Sequence, residues 1–464
     1  MTAVWVKMMK ENYHFIGIGG IGMSGLARIL FKQGFPVTGS DISLNSNIEK
    51  LISEGIKVTI GHSSENIVMS SKVIYGSDIK SNNVEYDAAI KLGIPLLHRS
   101  QLLASLSHEK RSFAVAGTHG KTTTSSLLTS VFIEAGLDPS YALGGILNSL
   151  QTNAYGGNGP DFILEADESD GSFLNYHPFG AIVTNIDRDH LVSYQGSEKE
   201  LVKAFEIFLN QVKSKSHLFW CGDDCQLRHI SQNGISYGFH EACDWKIIAW
   251  KQEGFFSYFD IEHHGKIYEN IKLSLIGKHN IQNATAVFGL SIICGISEQR
   301  IRETFCRFQG ISRRCQNKGS FNNIQFLDDY AHHPTEIRTT LEGIRRAEPL
   351  KKLIVVFQPH RFSRTQECKG LFGSVFDEAD CLILTDIYSA GEEPIQGISI
   401  DLIMDEIKDN STISFQYHQR EYLSEALSRL IQPNDLVVTL GAGDITHLSS
   451  EVIAHLKNSV LVNG

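Results

Sequence analysis

The sequence predicts an α/β protein of three domains, each built on a mostly parallel sheet. Three observations predict it. Short apolar runs alternate with helix-like segments over roughly the first hundred residues, the rhythm of parallel strands joined by crossover helices. Two glycine-bearing loops, residues 17–22 (GIGGIG) and 117–123 (GTHGKTT), each follow an apolar run and open a helical one. A polar, Gly/Asn-rich stretch at 316–323 separates a last set of apolar runs from what precedes it. The chain has 464 residues, more than one core normally serves, and at about 150 residues per domain three fit.

In order along the chain, residues 13–18, 36–39, 57–60, 72–75 and 94–97 read as strands of a Rossmann-like N-terminal domain spanning 1–107. The polar run 107–111 marks a boundary before a new strand at 112–116, the second glycine loop, and a helix at 121–135 closed by Gly136. Buried strands at 162–165 and 181–185 follow, then a β-rich stretch at 217–275 and a helix at 280–293 ending at Gly295. This central domain, 108–315, reads as P-loop ATPase-like, a mostly parallel sheet with a β-rich part. The stretch 316–323 reads as a linker into a second Rossmann-like domain, 316–464, with strands at 324–327, 353–357, 381–385 and 436–440.

Composition narrows the function. Hydrophobic residues make up 42% and charged ones 20%, ordinary for a globular protein, and the net charge of −10 argues against nucleic acid as main partner. No run approaches the roughly 18 apolar residues of a membrane span, so a cytoplasmic address without membrane insertion is expected. Of eight cysteines only Cys221 and Cys225 lie close together, and with no second Cys/His pair at matching spacing they are not read as a metal site.

The chemistry concentrates in loops that follow strands. In Gly117-Thr118-His119-Gly120-Lys121-Thr122-Thr123, backbone N–H groups and the helix dipole converge on the place where phosphate oxygens bind. Lys121 adds a positive charge, and Thr122 sets a hydroxyl where phosphate-loop enzymes hold magnesium. Only two residues separate the glycines, against four in the general pattern. Magnesium needs hard oxygen ligands at neighbouring strand ends. Glu165, Asp167, Glu168 and Asp170 follow one strand; Asp187, Asp189 and His190 follow another. Gly17, Gly19, Gly20 and Gly22, with Met23, Ser24 and, after the second strand, Asp41, form a diphosphate-binding fingerprint that suits NAD or a UDP-linked sugar alike. In the last domain the loops 328–334 (DDYAHHP) and 358–364 (QPHRFSR) supply histidines and the paired arginines Arg361 and Arg364, whose forks suit a carboxylate. From these residues alone an NAD-dependent oxidoreductase and a nucleotide-switched interaction protein stay open beside an ATP-driven enzyme.

With the loop 117–123, Glu165 to Asp170, Asn185-Ile186-Asp187-Arg188-Asp189-His190, 277–284 (GKHNIQNA) and Gly310 to Arg314 in that order, the sequence resembles the Mur ligase family over almost its whole length. The runs 17–24 (GIGGIGMS), 328–336 (DDYAHHPTE) and 358–365 (QPHRFSRT) resemble most the branch that adds the first amino acid of the bacterial peptidoglycan peptide. The resemblance implies that ATP phosphorylates the lactyl carboxylate of UDP-N-acetylmuramate and that the amine of L-alanine displaces phosphate. An alternative within the family attaches a ready-made tripeptide to the same sugar nucleotide. The resemblance further implies that Lys121 stabilises the moving phosphoryl group, Thr122 holds Mg2+, and Glu165 and His190 hold a second. Asn280, Asn283, Arg314 and Asp329 would contact ATP, with Arg314 also catalytic. The 17–22 loop would cradle the UDP diphosphate, and His332, His360, Arg361 and Arg364 would line the alanine site. Several sister enzymes carry a modified lysine after the histidine; here the matching stretch is Ala204-Phe205-Glu206, and no carbamylated lysine is expected. A monomer or weak homodimer is expected.

Overall fold

The structure, a computed structural model, describes residues 11–231 and 233–462. The first sheet holds β1 (Tyr13–Ile16), β2 (Val37–Asp41), β3 (Lys57–Ile60), β4 (Lys72–Tyr75) and β5 (Leu96–His98) in the order β3-β2-β1-β4-β5, all parallel. Strand order reverses at β1, so the crevice beyond the carboxyl ends of β1 and β4 is where an α/β sheet receives ligand. The expected strand 13–18 stops at Ile16 because Gly17 turns the chain at φ 75°.

The second sheet collects β6 (Arg111–Ala116), β7 (Ser140–Leu147), β8 (Thr152–Tyr155), β9 (Asp161–Glu165), β10 (Gly180–Val183), β11 (Leu218–Cys221), β12 (Ile235–Gly238), β13 (Trp245–Glu253), β14 (Phe256–His263) and β15 (Lys266–Leu273). Its order is β15-β14-β13-β12-β11-β10-β6-β9-β7-β8. Strand β6 lies parallel between β10 and β9, with Ala116 opposite Val183 and Val115 opposite Glu165. The loops leaving these three strands therefore emerge side by side.

The third sheet has β16 (Gln316–Phe321), β17 (Ile324–Asp329), β18 (Leu353–Phe357), β19 (Cys381–Leu384), β20 (Phe415–Tyr417) and β21 (Leu436–Leu440) in the order β16-β17-β21-β18-β19-β20. Strand β18 is buried throughout, with Leu353, Val355 and Phe357 in one core cluster and Ile354 and Val356 in another. A sheet covered on both faces needs such an uninterrupted apolar run. The expected linker 316–323 is mostly the edge strand β16, antiparallel to β17 with a register shift at Asn317/Gly319. Edge strands tolerate polar residues and bulges because one side faces no partner strand, which is why its composition read as a linker.

The three sheets distribute over two compact units. One runs up to Ile247 and takes in Ile261–Ile267 and Gln282–Phe308; the other comprises Ile248–Asp260, Tyr268–Ile281 and the chain from Gln309 onward. Among the described residues no helix is long and apolar enough to cross a membrane.

Candidate active site

In the first unit, the loop after β1 is pinned from below. Gly17 N and Ile18 N donate to Ser40 O (2.8 and 3.0 Å), and Gly19 N donates to Asp41 Oδ2 (2.8 Å). Gly19 admits no side chain: a Cβ there would meet Asn45 Nδ2 at 2.5 Å and Asp41 Oδ2 at 2.9 Å. Gly20 caps the helix Ile21–Lys32 with no side-chain acceptor, leaving its first N–H groups for an anion. Gly22, Met23 and Ser24 form its first turn; Met23 and Ser24 are buried, and the Ser24 hydroxyl donates to Ile21 O (3.2 Å).

The loop after β6 is likewise built around absent side chains. Gly117 sits at φ 129°, where a Cβ would collide with Thr184 Oγ1. Gly120, left-handed at φ 82°, caps the helix Lys121–Glu134 with no side-chain bond, and its open side faces the Asn283 amide, 3.0 Å from where a Cβ would stand. Asn185 braces the loop from the end of β10, accepting from His119 N (2.8 Å) and donating to His119 O (3.0 Å). Thr118 N donates to Asn185 O and the Thr118 hydroxyl accepts from Asp187 N (2.9 Å), while His119 pairs with Asp187 at 3.0 Å. Thr123 is buried in the first turn.

Lys121 is held more tightly than a mobile charge would be. Its Nζ donates to Gly117 O (2.8 Å), Thr118 O (3.1 Å) and Glu168 Oε2 (2.6 Å). Burial pushes the Glu168 carboxyl up to about 7 against the pull of Lys121. Thr122 Oγ1 donates to Glu165 Oε1 (3.0 Å), and Gly144 N donates to the other Glu165 oxygen (2.8 Å). Burial raises the Glu165 carboxyl, opposed chiefly by Lys121. His190, in left-handed conformation at φ 57°, meets Asp189 Oδ2 at 3.4 Å. The structure thus pairs Lys121 with Glu168 and Thr122 with Glu165, two carboxylates held against the first turn of one helix.

The same unit holds a cleft of about 450 Å³ lined by Ser77, His98, Ser100, Gln101, Asp170, Gly171, Ser172 and Asn175. Ser77 Oγ donates to Asp170 Oδ2 (2.9 Å) and meets His98 Nε2 (3.1 Å). The sequence reading had singled out neither His98 nor Asn175. Their only signal was position, at the end of β5 and after the acidic loop.

In the second unit, Asn280 Nδ2 donates to Ile276 O (2.7 Å). Arg314 Nη1 meets Glu336 Oε1 at 3.4 Å, its guanidinium 5.5 Å from the Tyr330 ring centre. Asp329 is buried, with Cys315 N (2.7 Å) and Ala331 N (2.8 Å) donating to its carboxylate, and burial pushes its pKa to about 6. His332 and His360 approach with ring centres 5.9 Å apart. Burial, reinforced by Arg364 and Arg361, pulls His360 down to about 4, so its imidazole is neutral at neutral pH. Arg361 adopts φ 70° and lies 4.0 Å from Glu392. Arg313, which the sequence reading passed over, donates to three successive carbonyls: Gly441 O (2.5 Å), Ala442 O (3.1 Å) and Gly443 O (3.1 Å).

A glycine-turned loop that ends at a helix N-terminus without a side-chain cap, beside carboxylates at the ends of adjacent strands, has the chemistry of a phosphate-using enzyme. The chain belongs to the Mur ligase family: residues 12–111 match the family's catalytic domain, 115–291 its middle domain and 313–443 its glutamate ligase domain. A UDP-N-acetylmuramate--L-alanine ligase from Protochlamydia amoebophila is 55% identical over 450 residues, covering 97% of this chain and 99% of that protein. A bifunctional enzyme MurC/Ddl from Chlamydia caviae is 45% identical over 94% of this chain, which spans 54% of the longer protein. The crystal structure of UDP-N-acetylmuramate-alanine ligase MurC from Thermotoga maritima superposes with a TM-score of 0.83 at 30% identity, covering 97% of this chain and 99% of that one.

Proposed function

We propose that this enzyme joins L-alanine to the lactyl carboxylate of UDP-N-acetylmuramate, consuming ATP and releasing ADP and phosphate, in cytoplasmic peptidoglycan precursor synthesis. A carboxylate oxygen attacks the γ-phosphorus of ATP as the bond to ADP breaks, giving an acyl phosphate. The alanine nitrogen then attacks the acyl carbon, the C–N bond forms, phosphate leaves with the electron pair of the C–O bond, and the amine gives up a proton. Phosphoryl transfer of this kind is catalysed mainly by positioning and charge neutralisation.

The observation that carries the reading is the Thr122–Glu165 contact at the foot of an uncapped helix, in a chain 55% identical to a named L-alanine ligase. In this reading Lys121 exchanges Glu168 for the phosphates and stabilises the moving phosphoryl group. Thr122 and Glu165 offer hard oxygens 3.0 Å apart, a donor set that suits Mg2+; Thr122 would hold one ion against the phosphates, Glu165 with His190 would hold a second near the acceptor carboxylate, and the bound ions would supply charge neutralisation. Gly117 to Thr123, Asn280, Asn283, Arg314 and Asp329 serve ATP. The loop from Gly17 to Gly22, with Met23, Ser24 and Asp41, serves the UDP-sugar; His332, His360, Arg361 and Arg364 serve alanine and the carboxylates. Domain limits at 107/108 and 315/316 belong to the same reading.

Phosphate release in ATP and Mg2+ with UDP-N-acetylmuramate tests it, comparing L-alanine, other amino acids and the tripeptide. Release dependent on both the sugar nucleotide and L-alanine is expected. Preference for the tripeptide would make it the recycling enzyme, and release indifferent to either substrate would refute a ligase.

A further inference from the structure

Four parallel strands of the third sheet, β17, β21, β18 and β19, lie side by side, and the loops at their carboxyl ends share the edge where such sheets bind ligands. The residues so far given to the amino acid come from the loops after β17 and β18. The loop after β19 is latched to the latter by main chain on both sides: Tyr388 N donates to Pro359 O and Arg361 N to Tyr388 O, both at 2.8 Å. This latch stacks the Tyr388 ring on the His360 imidazole, centres 5.8 Å apart and planes at 14°. The loop after β21 backs the ring. A Cβ on Gly443 would stand 2.6 Å from Tyr388 Cγ, so only glycine allows this approach, and the grip of Arg313 on the carbonyls of Gly441, Ala442 and Gly443 keeps that loop from yielding. The result is an aromatic ring fixed by backbone on one side and packed loop on the other, still 39% exposed.

We propose that Tyr388 is the residue that limits the amino-acid side chain to the size of a methyl group. The inference rests on the reading that His360, Arg361 and Arg364 receive the amino acid. With its carboxylate on the guanidinium groups beside His360, the substituent on the α-carbon comes against the ring stacked there. A wall that cannot retreat discriminates by volume, and one methylene against a rigid pocket changes relative kcat/KM by about 10- to 200-fold.

The test compares kcat/KM for L-alanine, L-2-aminobutyrate and L-valine in the wild type, Tyr388→Ala, Tyr388→Leu and Tyr388→Phe, with UDP-N-acetylmuramate KM as a check that each variant is folded. Tyr388→Ala and Tyr388→Leu are expected to cut the preference for alanine over aminobutyrate at least about tenfold, and Tyr388→Phe to retain it, because the ring and not the hydroxyl forms the wall. Gly443→Ala, which displaces the ring, is expected to raise the KM for alanine and leave that for the sugar nucleotide unchanged. Unaltered preference in whichever of Tyr388→Ala and Tyr388→Leu is folded overturns the assignment while the ligase reading stands. Absence of alanine ligation in the wild type overturns both.

Discussion

Replacing Lys121 by alanine separates the stabilising from the catalytic work of one side chain. The ammonium satisfies two carbonyls of its own loop and the carboxylate of Glu168, whose side chain is 1% exposed. The second Glu168 oxygen, Oε1, has no hydrogen-bond partner among the described residues. Removing the lysine strands a buried carboxylate, and breaking a buried pair from one side costs about 3–5 kcal/mol. Burial already lifts the Glu168 pKa above the ordinary carboxylate value even with Lys121 present, and without it the group is lifted further. A raised acid binds a proton in the folded state that the unfolded state has released, so stability falls as pH rises. Lys121→Ala is therefore expected to cost less at pH 6 than at pH 8. Urea unfolding at both values, for Lys121→Ala and for Lys121→Ala/Glu168→Gln, measures it. The double variant, with a neutral amide in place of the stranded charge, should regain most of the loss, yet neither variant should ligate. A single variant as stable as wild type at pH 8, or turnover regained in the double variant, would refute the reasoning.

Gly117→Ala combines a left-handed φ with a collision at Thr184 Oγ1 and is expected to cost upward of about 2 kcal/mol and abolish ATP binding, with UDP binding retained, by calorimetry. His360, pulled down to about 4 from a normal value near 6.5, resists protonation that the unfolded chain accepts. Stability should accordingly fall as pH drops from about 6.5 to 4, by up to about 3 kcal/mol, and His360→Gln should flatten that slope in denaturant titrations. Arg313→Ala releases three carbonyls from a charged donor and should lower unfolding free energy by about 2–3 kcal/mol; Arg313→Lys should recover only part, since one ammonium cannot span the fork's acceptors.

The phosphate loop, the glycine loop after β1 and the acidic loops after β9 and β10 were legible in the sequence because each is contiguous and each follows a strand buried on both faces, whose apolar run announces it. The polar edge strand β16 carried no such signal, and neither did β7, whose apolar run is interrupted by Gly144 and Gly145 though Gly144 N donates to Glu165.

What the sequence by itself determined was the local chemistry, namely which residues stand at the ends of which strands, and the order of those motifs is what carried the resemblance to the Mur ligase family. The partners of those residues were decided by strand order. Glu168 meets Lys121 across 47 positions, and Arg313 reaches the Gly441 carbonyl across 128, because parallel strands distant in sequence lie adjacent in the sheet. Tyr388 comes to lie on His360, and Gly443 against Tyr388, for the same reason: backbone hydrogen bonding between strands fixes which loops share an edge, and no short stretch of sequence encodes that pairing.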